Sequence, residues 1–181
     1  MASKIDQLLQ AYEGVLSEPW TERLSGKERV WFLVYDPADQ RKMDLRIGDF
    51  ENATRKSGRR WACVSMKLCF PEWMSAHEDR EAYFEDPADM LDQLDEDFKD
   101  FAVQYLKNQL AEASQDENTV IAVRDVSSLF GFVRLSDVLN GCHKDFDGRM
   151  LVFFPGEFDA NHYRLLDARD GWSYLARPIT A

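Results

Sequence analysis

The sequence predicts an α/β fold, in which a mostly parallel sheet of about five strands carries helices on both faces. The first observation behind this prediction is that short apolar runs alternate along the chain with amphipathic helical patterns. The second is that these runs are nearly unbroken, which is typical of strands buried on both faces of a parallel sheet. Crossover connections between parallel strands then place helices on both sides of the sheet.

The opening segment predicts a helix followed by the first strand. Ser3 is a favourable N-cap, Asp6 stands three positions later, and apolar residues recur at helical spacing from Ile5 to Leu16. After a polar connector, every residue of 30–35 is apolar or aromatic. This run predicts a buried strand.

The tetrapeptide Asp-Pro-Ala-Asp occurs at 36–39 and at 86–89, and each copy predicts a helix start. The first aspartate can cap, proline loses no needed donor at the first helical position, and the second aspartate lies where the helix dipole favours it. The helix after 36–39 should end by Gly58. The helix after 86–89 should be the longest element, because its apolar stripe runs from Leu91 to Leu110.

The remaining elements complete the alternation of strands and helices. Residues 61–66, 120–123 and 150–154 predict the second, third and fourth strands, and a weaker alternation over 172–178 predicts a fifth. Ser136 is expected to cap a short helix between the third and fourth strands.

Composition limits the class of protein. The 181 residues fit one compact domain, 1–181, and 33 acidic against 22 basic residues give a formal net charge of −11. We therefore expect no nonspecific binding to a nucleic-acid backbone. Three cysteines without a Cys-x-x-Cys pair, no secretion signal and no run of about 20 apolar residues predict a soluble, cytoplasmic protein without a membrane span.

Motifs for nucleotide binding are absent from the sequence. A phosphate-binding loop needs Gly-x-x-x-x-Gly-Lys-Ser/Thr, but the one Gly-Lys pair, Gly26-Lys27, is followed by Glu28 and precedes the first strand. The turn after the first strand, 35–39, has two carboxylates and no glycine where a phosphate would need free backbone amides. The sequence thus predicts a nucleotide-binding-type fold without a phosphate loop.

Patterns for catalysis and for metal binding are also missing. Ser127-Ser128 follows a strand but lacks the flanking glycines of a nucleophile elbow. No histidine belongs to a metal-spaced pair, and the adjacent residues Cys142 and His143 are poorly placed to ligate one ion. We expect no enzymatic activity, no cofactor and no metal.

An acidic segment covers residues 78–100, which contain eleven acidic and two basic residues. One interpretation is a docking face for a basic partner, because such a field steers association. The other, which we favour, is the solvated side of an amphipathic helix.

The carboxyl-terminal third mixes aromatic and charged side chains in segments that connect the predicted strands. One interpretation is a structural corner with internally satisfied ion pairs, and the other is a partner surface anchored by tryptophan and arginine. The candidate partner-binding residues are Phe130, Phe132, Arg134, Glu157, Arg169, Asp170, Trp172 and Tyr174.

A second hypothesis is an enzyme, or a nucleotide or metal sensor, with a site at the strand ends. Ligands of open α/β sheets bind beyond the carboxyl ends of the strands. The side chains expected there are Asp36, Asp39, Asp125, Arg134 and Glu157.

Several blocks, taken in order, resemble the BrxB family. They are residues 29–37, 70–74 (Phe-Pro-Glu-Trp-Met), 128–133, 151–157 and 163–172, and the resemblance extends over essentially the whole chain. It implies a bacterial cytoplasmic component of BREX, a bacteriophage exclusion system whose subunits together methylate host DNA and block phage replication.

The resemblance also implies partners but no active-site residues. The partners are the other BREX subunits: the ATPase BrxC, the alkaline-phosphatase-like PglZ and the adenine-specific DNA methyltransferase PglX. Together with the missing catalytic motifs, this leads us to expect a non-catalytic assembly or adaptor subunit that leaves DNA contact to its partners.

Overall fold

The computed structural model of the chain describes residues 2–21, 23–113, 116–168 and 171–181. These residues form a sheet of six strands: β1 (Val30–Tyr35), β2 (Arg60–Ser65), β3 (Thr119–Arg124), β4 (Arg149–Asp159), β5 (His162–Leu165) and β6 (Arg177–Ile179). The strands β2, β3, β4, β1 and β6 lie side by side in that order, and each neighbouring pair is parallel. The predicted mostly parallel α/β fold is confirmed.

Helices cover both faces of the sheet. They are α1 (Lys4–Ser17), α2 (Gln40–Lys56), α3 (Cys69–Ala76), α4 (Arg80–Glu85), α5 (Leu91–Gln93), α6 (Lys99–Glu112) and α7 (Leu135–Cys142). Helices α1 and α2 pack on one face, and α3, α4, α6 and α7 pack on the other.

The side chains of β1 explain why its sequence is uninterruptedly apolar. Trp31, Leu33 and Tyr35 pack under α1 and α2, whereas Phe32 and its neighbours of even number pack against the opposite layer. Since successive side chains of a strand point to opposite faces, both sets must be apolar in a sheet that is covered on both sides.

Local hydrogen bonds begin the helices where the sequence predicts. The Ser3 hydroxyl accepts from the Asp6 backbone N–H at 3.2 Å, and the Asp6 carboxylate accepts from the Ser3 backbone N–H at 2.9 Å, which makes a capping box. The carboxylates of Asp36 and Asp86 each accept from the backbone N–H two residues later, and each opens a short 3₁₀ turn.

The long helix after residues 86–89 differs from the prediction of one regular α-helix. The chain is helical over residues 91–112, but it passes through a π-helical segment, Leu94–Phe98, between α5 and α6. The spacing of the apolar residues is compatible with both an α-helix and a π-helical turn. The sequence therefore does not show that one turn contains an additional residue. The longest regular α-helix among the described residues is α2.

Two smaller expectations are wrong in part. The fifth strand of the parallel sheet, β6, covers only the end of the predicted span 172–178 and extends one residue beyond it, because Trp172 pairs with Tyr163 as an isolated antiparallel bridge. Helix α7 begins at Leu135, so Ser136 lies in its first turn and does not cap it.

Candidate functional site

A groove of about 590 Å³ opens at the edge of the sheet where the parallel strands end. One wall is the loop Phe130–Leu135, which a 3₁₀ turn, Val126–Leu129, connects to the end of β3. The other walls are the π-helical segment before α6 and the chain after β5. We call this feature the edge groove. It lies where open α/β sheets bind their ligands.

The rim of the edge groove carries an exposed aromatic ring. The Phe130 side chain is 39% exposed, and the next residue, Gly131, has a φ of +81° that a residue with a side chain rarely adopts. The glycine turns the chain so that Phe130 stands at the mouth. Phe132, two residues on, turns inward and stacks on Phe70 of α3.

Charges of both signs line the same groove. Lys99 and Arg134 supply positive charge, and Asp95 and Asp137 supply negative charge. Arg134 is exposed and forms no ion pair with any described residue. Aromatic residues and arginine are enriched at protein interfaces, whose rims are polar.

The π-helical segment Leu94–Phe98 shapes one wall of the groove. Phe98 is fully buried and packs against the Trp73 ring at 5.2 Å between centroids, which fixes the segment to α3. The Trp73 indole donates to the Asp97 carboxylate at 2.8 Å. Leu94 and Asp95 then line the groove. Such π turns occur often at functional sites.

Trp172 belongs to both the groove and the core. Its ring lies 5.9 Å from that of Phe32 and 5.7 Å from that of Tyr163, and its backbone exchanges two hydrogen bonds with Tyr163 at 2.8 and 2.9 Å. The side chain is half-buried and lines the groove beside Leu165.

Tyr174 lies outside the groove. Its ring stacks on Phe32 with centroids 5.8 Å apart, and burial raises the pKa of the phenol to about 12. Among the described residues its buried hydroxyl has no hydrogen-bond partner.

Glu157 also lies apart from the groove. It faces Arg164 across the β4–β5 pair, with 3.3 Å between carboxylate and guanidinium, and both side chains are exposed. The structure thus brings four of the predicted residues, Phe130, Phe132, Arg134 and Trp172, to one groove. Arg169 and Asp170 lie outside the described residues.

The carboxylates expected at the strand ends have separate local partners. Asp36 caps its 3₁₀ turn, Asp39 pairs with Lys42 at 2.8 Å, and Asp125 accepts from the Ser65 hydroxyl at 2.5 Å. Asp125 holds a left-handed backbone, with a φ of 60°. Within the described part of the chain, no group of three or more histidine, cysteine or acidic side chains could hold a metal ion.

The acidic segment 78–100 exposes its acidic side chains along its whole length. All eleven of its carboxylate residues are exposed, and so are two large apolar side chains, Phe84 at 67% and Leu91 at 58%. Asp95 belongs both to this segment and to the edge groove. A negative surface with exposed apolar side chains is therefore continuous with the groove.

The sequence does not single out five of the lining residues, which are Leu94, Lys99, Leu135, Asp137 and Leu165. The spacing of Leu94 fits the apolar stripe of a regular helix. Lys99 did carry a signal, because it is one of only two basic residues in the acidic segment.

Comparison with known proteins gives one family match. The family described as BREX protein BrxB matches residues 71–177, which include every lining residue of the edge groove. Searches among curated proteins and among solved structures returned no match. No helix within the described residues is both long and apolar enough to cross a membrane.

Proposed function

Because this chain belongs to the BrxB family and so is a component of the BREX phage defence system, we propose that it acts there as a non-catalytic assembly subunit. In this role it binds other BREX subunits in the cytoplasm and holds them together. The observation that carries the proposal is the edge groove, which combines an exposed aromatic ring with mixed charges.

The composition of the groove supports protein binding over small-molecule chemistry. Aromatic and arginine side chains dominate the energetics of protein interfaces, and the groove offers Phe130, Trp172 and Arg134 within one concave surface. A partner that covers Phe130 removes its apolar surface from water, which is favourable. Arg134 is free to pair with a partner carboxylate.

The acidic segment supports a partner with a basic contact surface. The eleven exposed carboxylates of the acidic segment, of which Asp95 lines the groove, would steer such a surface towards it, and Phe84 and Leu91 would add apolar contact on arrival. The candidate partners are PglZ, BrxC and PglX. The net charge of −11 favours leaving DNA contact to them.

The proposal includes the absence of catalysis by this chain. At the strand ends, Asp36, Asp39 and Asp125 are occupied by a cap, an ion pair and a hydroxyl, and Glu157 is paired with Arg164. The alternative of an enzyme or sensor at these residues is tested by calorimetry with nucleotides and divalent ions. Binding that Asp125→Asn abolishes without loss of folding would support the alternative.

Co-purification tests the proposed function. The tagged chain is expressed with PglZ, BrxC or PglX one at a time, and we expect a stable complex with at least one of them. Phe130→Asp should disrupt that complex. Leu45→Asp is the matched control, because Leu45 is 86% exposed on α2, which packs on the opposite face of the sheet. No complex with any subunit, or equal loss in both variants, would refute the proposal.

A further inference from the structure

A second cavity lies at the opposite edge of the sheet, where the parallel strands begin. It encloses about 730 Å³ and is lined by three arginines. Arg29 ends the 3₁₀ turn before β1, Arg59 directly precedes β2, and Arg149 is the first residue of β4. Because β1, β2 and β4 are parallel, their amino ends meet at one edge and bring these residues together. We call this cavity the arginine pocket.

Aromatic rings hold the three guanidinium groups in place. The Cζ atoms of Arg59 and Arg149 lie 4.0 Å and 4.7 Å from the centroid of the Trp20 ring, and the Cζ atom of Arg29 lies 4.8 Å from that of Phe146. Contacts of this kind stabilise a cation without neutralising it. These ring contacts therefore leave the charges of the three guanidinium groups in place.

The described residues supply no carboxylate partner to these arginines within 4.0 Å. Their hydrogen bonds go to neutral oxygens: Arg29 donates to the Asp147 carbonyl, Arg59 to the Asn118 side-chain carbonyl, and Arg149 to the carbonyls of Thr21 at 3.1 Å and Gly148 at 3.4 Å. Buried charges are normally paired with an opposite charge. Arg149, only 5% exposed, has no such partner within the part of the chain that the structure describes.

The electrostatic cost of this arrangement falls on Arg149. Burial lowers the pKa of its guanidinium, and the neighbouring charges of Arg29 and Arg59 lower it further. Two buried N–H donors in the same pocket, Arg29 Nε and Trp20 Nε1, have no acceptor among the described residues. An anion in the pocket would relieve the repulsion between the cations.

We propose that the arginine pocket binds a small phosphate-bearing anion. Three guanidinium groups call for a ligand with at least two negative charges, and their forked N–H groups match phosphate oxygens. The volume is within the range of ordinary small-ligand sites.

The surroundings favour a compact ligand over a nucleic-acid backbone. Three acidic residues, Asp116, Glu117 and Asp147, line the same pocket, and Asp116 is already occupied by Arg60 at 2.8 Å and Thr119 at 2.7 Å. A long polyanion would have to pass these carboxylates on a protein of net charge −11. A small anion spans less of the pocket and so meets fewer of these carboxylates.

Calorimetry of the full chain tests the proposal, with inorganic phosphate, pyrophosphate and AMP as ligands. We expect pyrophosphate to bind and to raise the melting temperature, and Arg59→Gln and Arg29→Lys each to weaken binding at least tenfold. Arg29→Lys keeps the charge and removes the fork. Arg41→Gln is the matched control, since Arg41 is exposed on α2 away from the pocket.

Each outcome decides the proposal. Circular dichroism of the unliganded variants shows whether they fold, and if Arg59→Gln does not, Arg29→Lys carries the test. Absence of binding by all three ligands, or binding that both pocket variants leave unchanged, would overturn the inference. Tighter binding of a short DNA duplex than of pyrophosphate, if it is lost in Arg59→Gln, would also overturn the inference. Phe130→Asp should bind pyrophosphate normally, because the edge groove is a separate site.

Discussion

Phe132 lies against Phe70 with the two ring centroids 3.9 Å apart and the ring planes 13° from parallel. The contact joins the wall of the edge groove to α3, so Phe132 holds the loop in shape. Phe130, two residues earlier, is exposed at the rim. Neighbouring aromatic residues that look alike in the sequence therefore have different positions in the structure.

The first prediction separates these two residues by stability. Phe132→Ala should lower the free energy of unfolding by about 2 kcal/mol, because it removes a half-buried ring from a packed contact. Phe130→Ala should change it by less than about 0.5 kcal/mol, as is usual for exposed positions. Urea denaturation measures both. Equal effects would contradict the assignment of Phe132 to the framework of the loop.

The sequence predicts the central strands well because strands buried on both faces have uninterrupted runs of apolar residues. The predicted first strand and β1 have the same bounds, Val30–Tyr35. In contrast, the sequence does not predict the hairpin of β4 and β5. Its turn residues, Ala160 and Asn161, have φ values of 47° and 64°, and turns of this geometry usually contain Asn-Gly. The turn lacks the glycine by which it would have been recognised.

The arginine pocket escaped prediction for a different reason. Arg29, Arg59 and Arg149 are far apart in the sequence and become neighbours only through the order of the strands. Each stands at the amino end of a predicted strand, whereas ligands of open α/β sheets are expected at the carboxyl ends. Strand order, which the sequence does not supply, decides which amino ends meet.

The second prediction concerns Trp172, which contacts both the core and the groove. Trp172→Ala should lower the free energy of unfolding by about 3 kcal/mol, because the ring packs against Phe32 and Tyr163. Trp172→Phe should recover most of the loss, since it keeps an aromatic ring in the cluster. Thermal and urea unfolding measure the change. Unaltered stability with weakened partner binding would instead identify Trp172 as an exposed anchor.

The third prediction concerns the pH dependence of the capping box. Hydrogen bonds from Arg46 and Ser3 lower the pKa of the Asp6 carboxyl from 3.8 to about 2. Because the pKa in the folded state lies below that in the unfolded state, the stabilisation is fully present above about pH 4 and is lost as the pH falls towards 2. Asp6→Asn should therefore lower the melting temperature at pH 7 but have little effect at pH 2.

A matched variant controls for net charge in this test. Glu13→Gln removes an exposed carboxylate from the same helix without touching the capping box. Melting temperatures of the three proteins between pH 2 and pH 7 give the comparison. A constant difference between Asp6→Asn and the unmodified chain over that range would show that the Asp6 charge does not stabilise the fold.

The fourth prediction uses a close approach of two backbone segments. A Cβ atom at Gly148 would lie 1.9 Å from the carbonyl oxygen of Thr119, so Gly148→Ala forces β3 and the start of β4 apart. We expect a loss of about 2 kcal/mol or more in the free energy of unfolding. Gly48→Ala is the control, because space is open there and alanine favours a helix by about 1 kcal/mol. Denaturation should show that Gly148→Ala lowers the free energy of unfolding and that Gly48→Ala raises it. Destabilisation by both substitutions would contradict this explanation.

The fifth prediction tests whether the acidic segment steers a partner. Under the proposed function, a basic contact surface on a partner would be attracted by Asp92 and Glu96, both exposed on the segment. Asp92→Lys with Glu96→Lys should slow association several-fold and flatten its dependence on salt, while Glu13→Lys on α1 should change neither. Surface plasmon resonance at several salt concentrations measures the rates. If the double variant associates as fast as the control at low salt, the acidic segment is only a solvated surface, and docking depends on the edge groove alone.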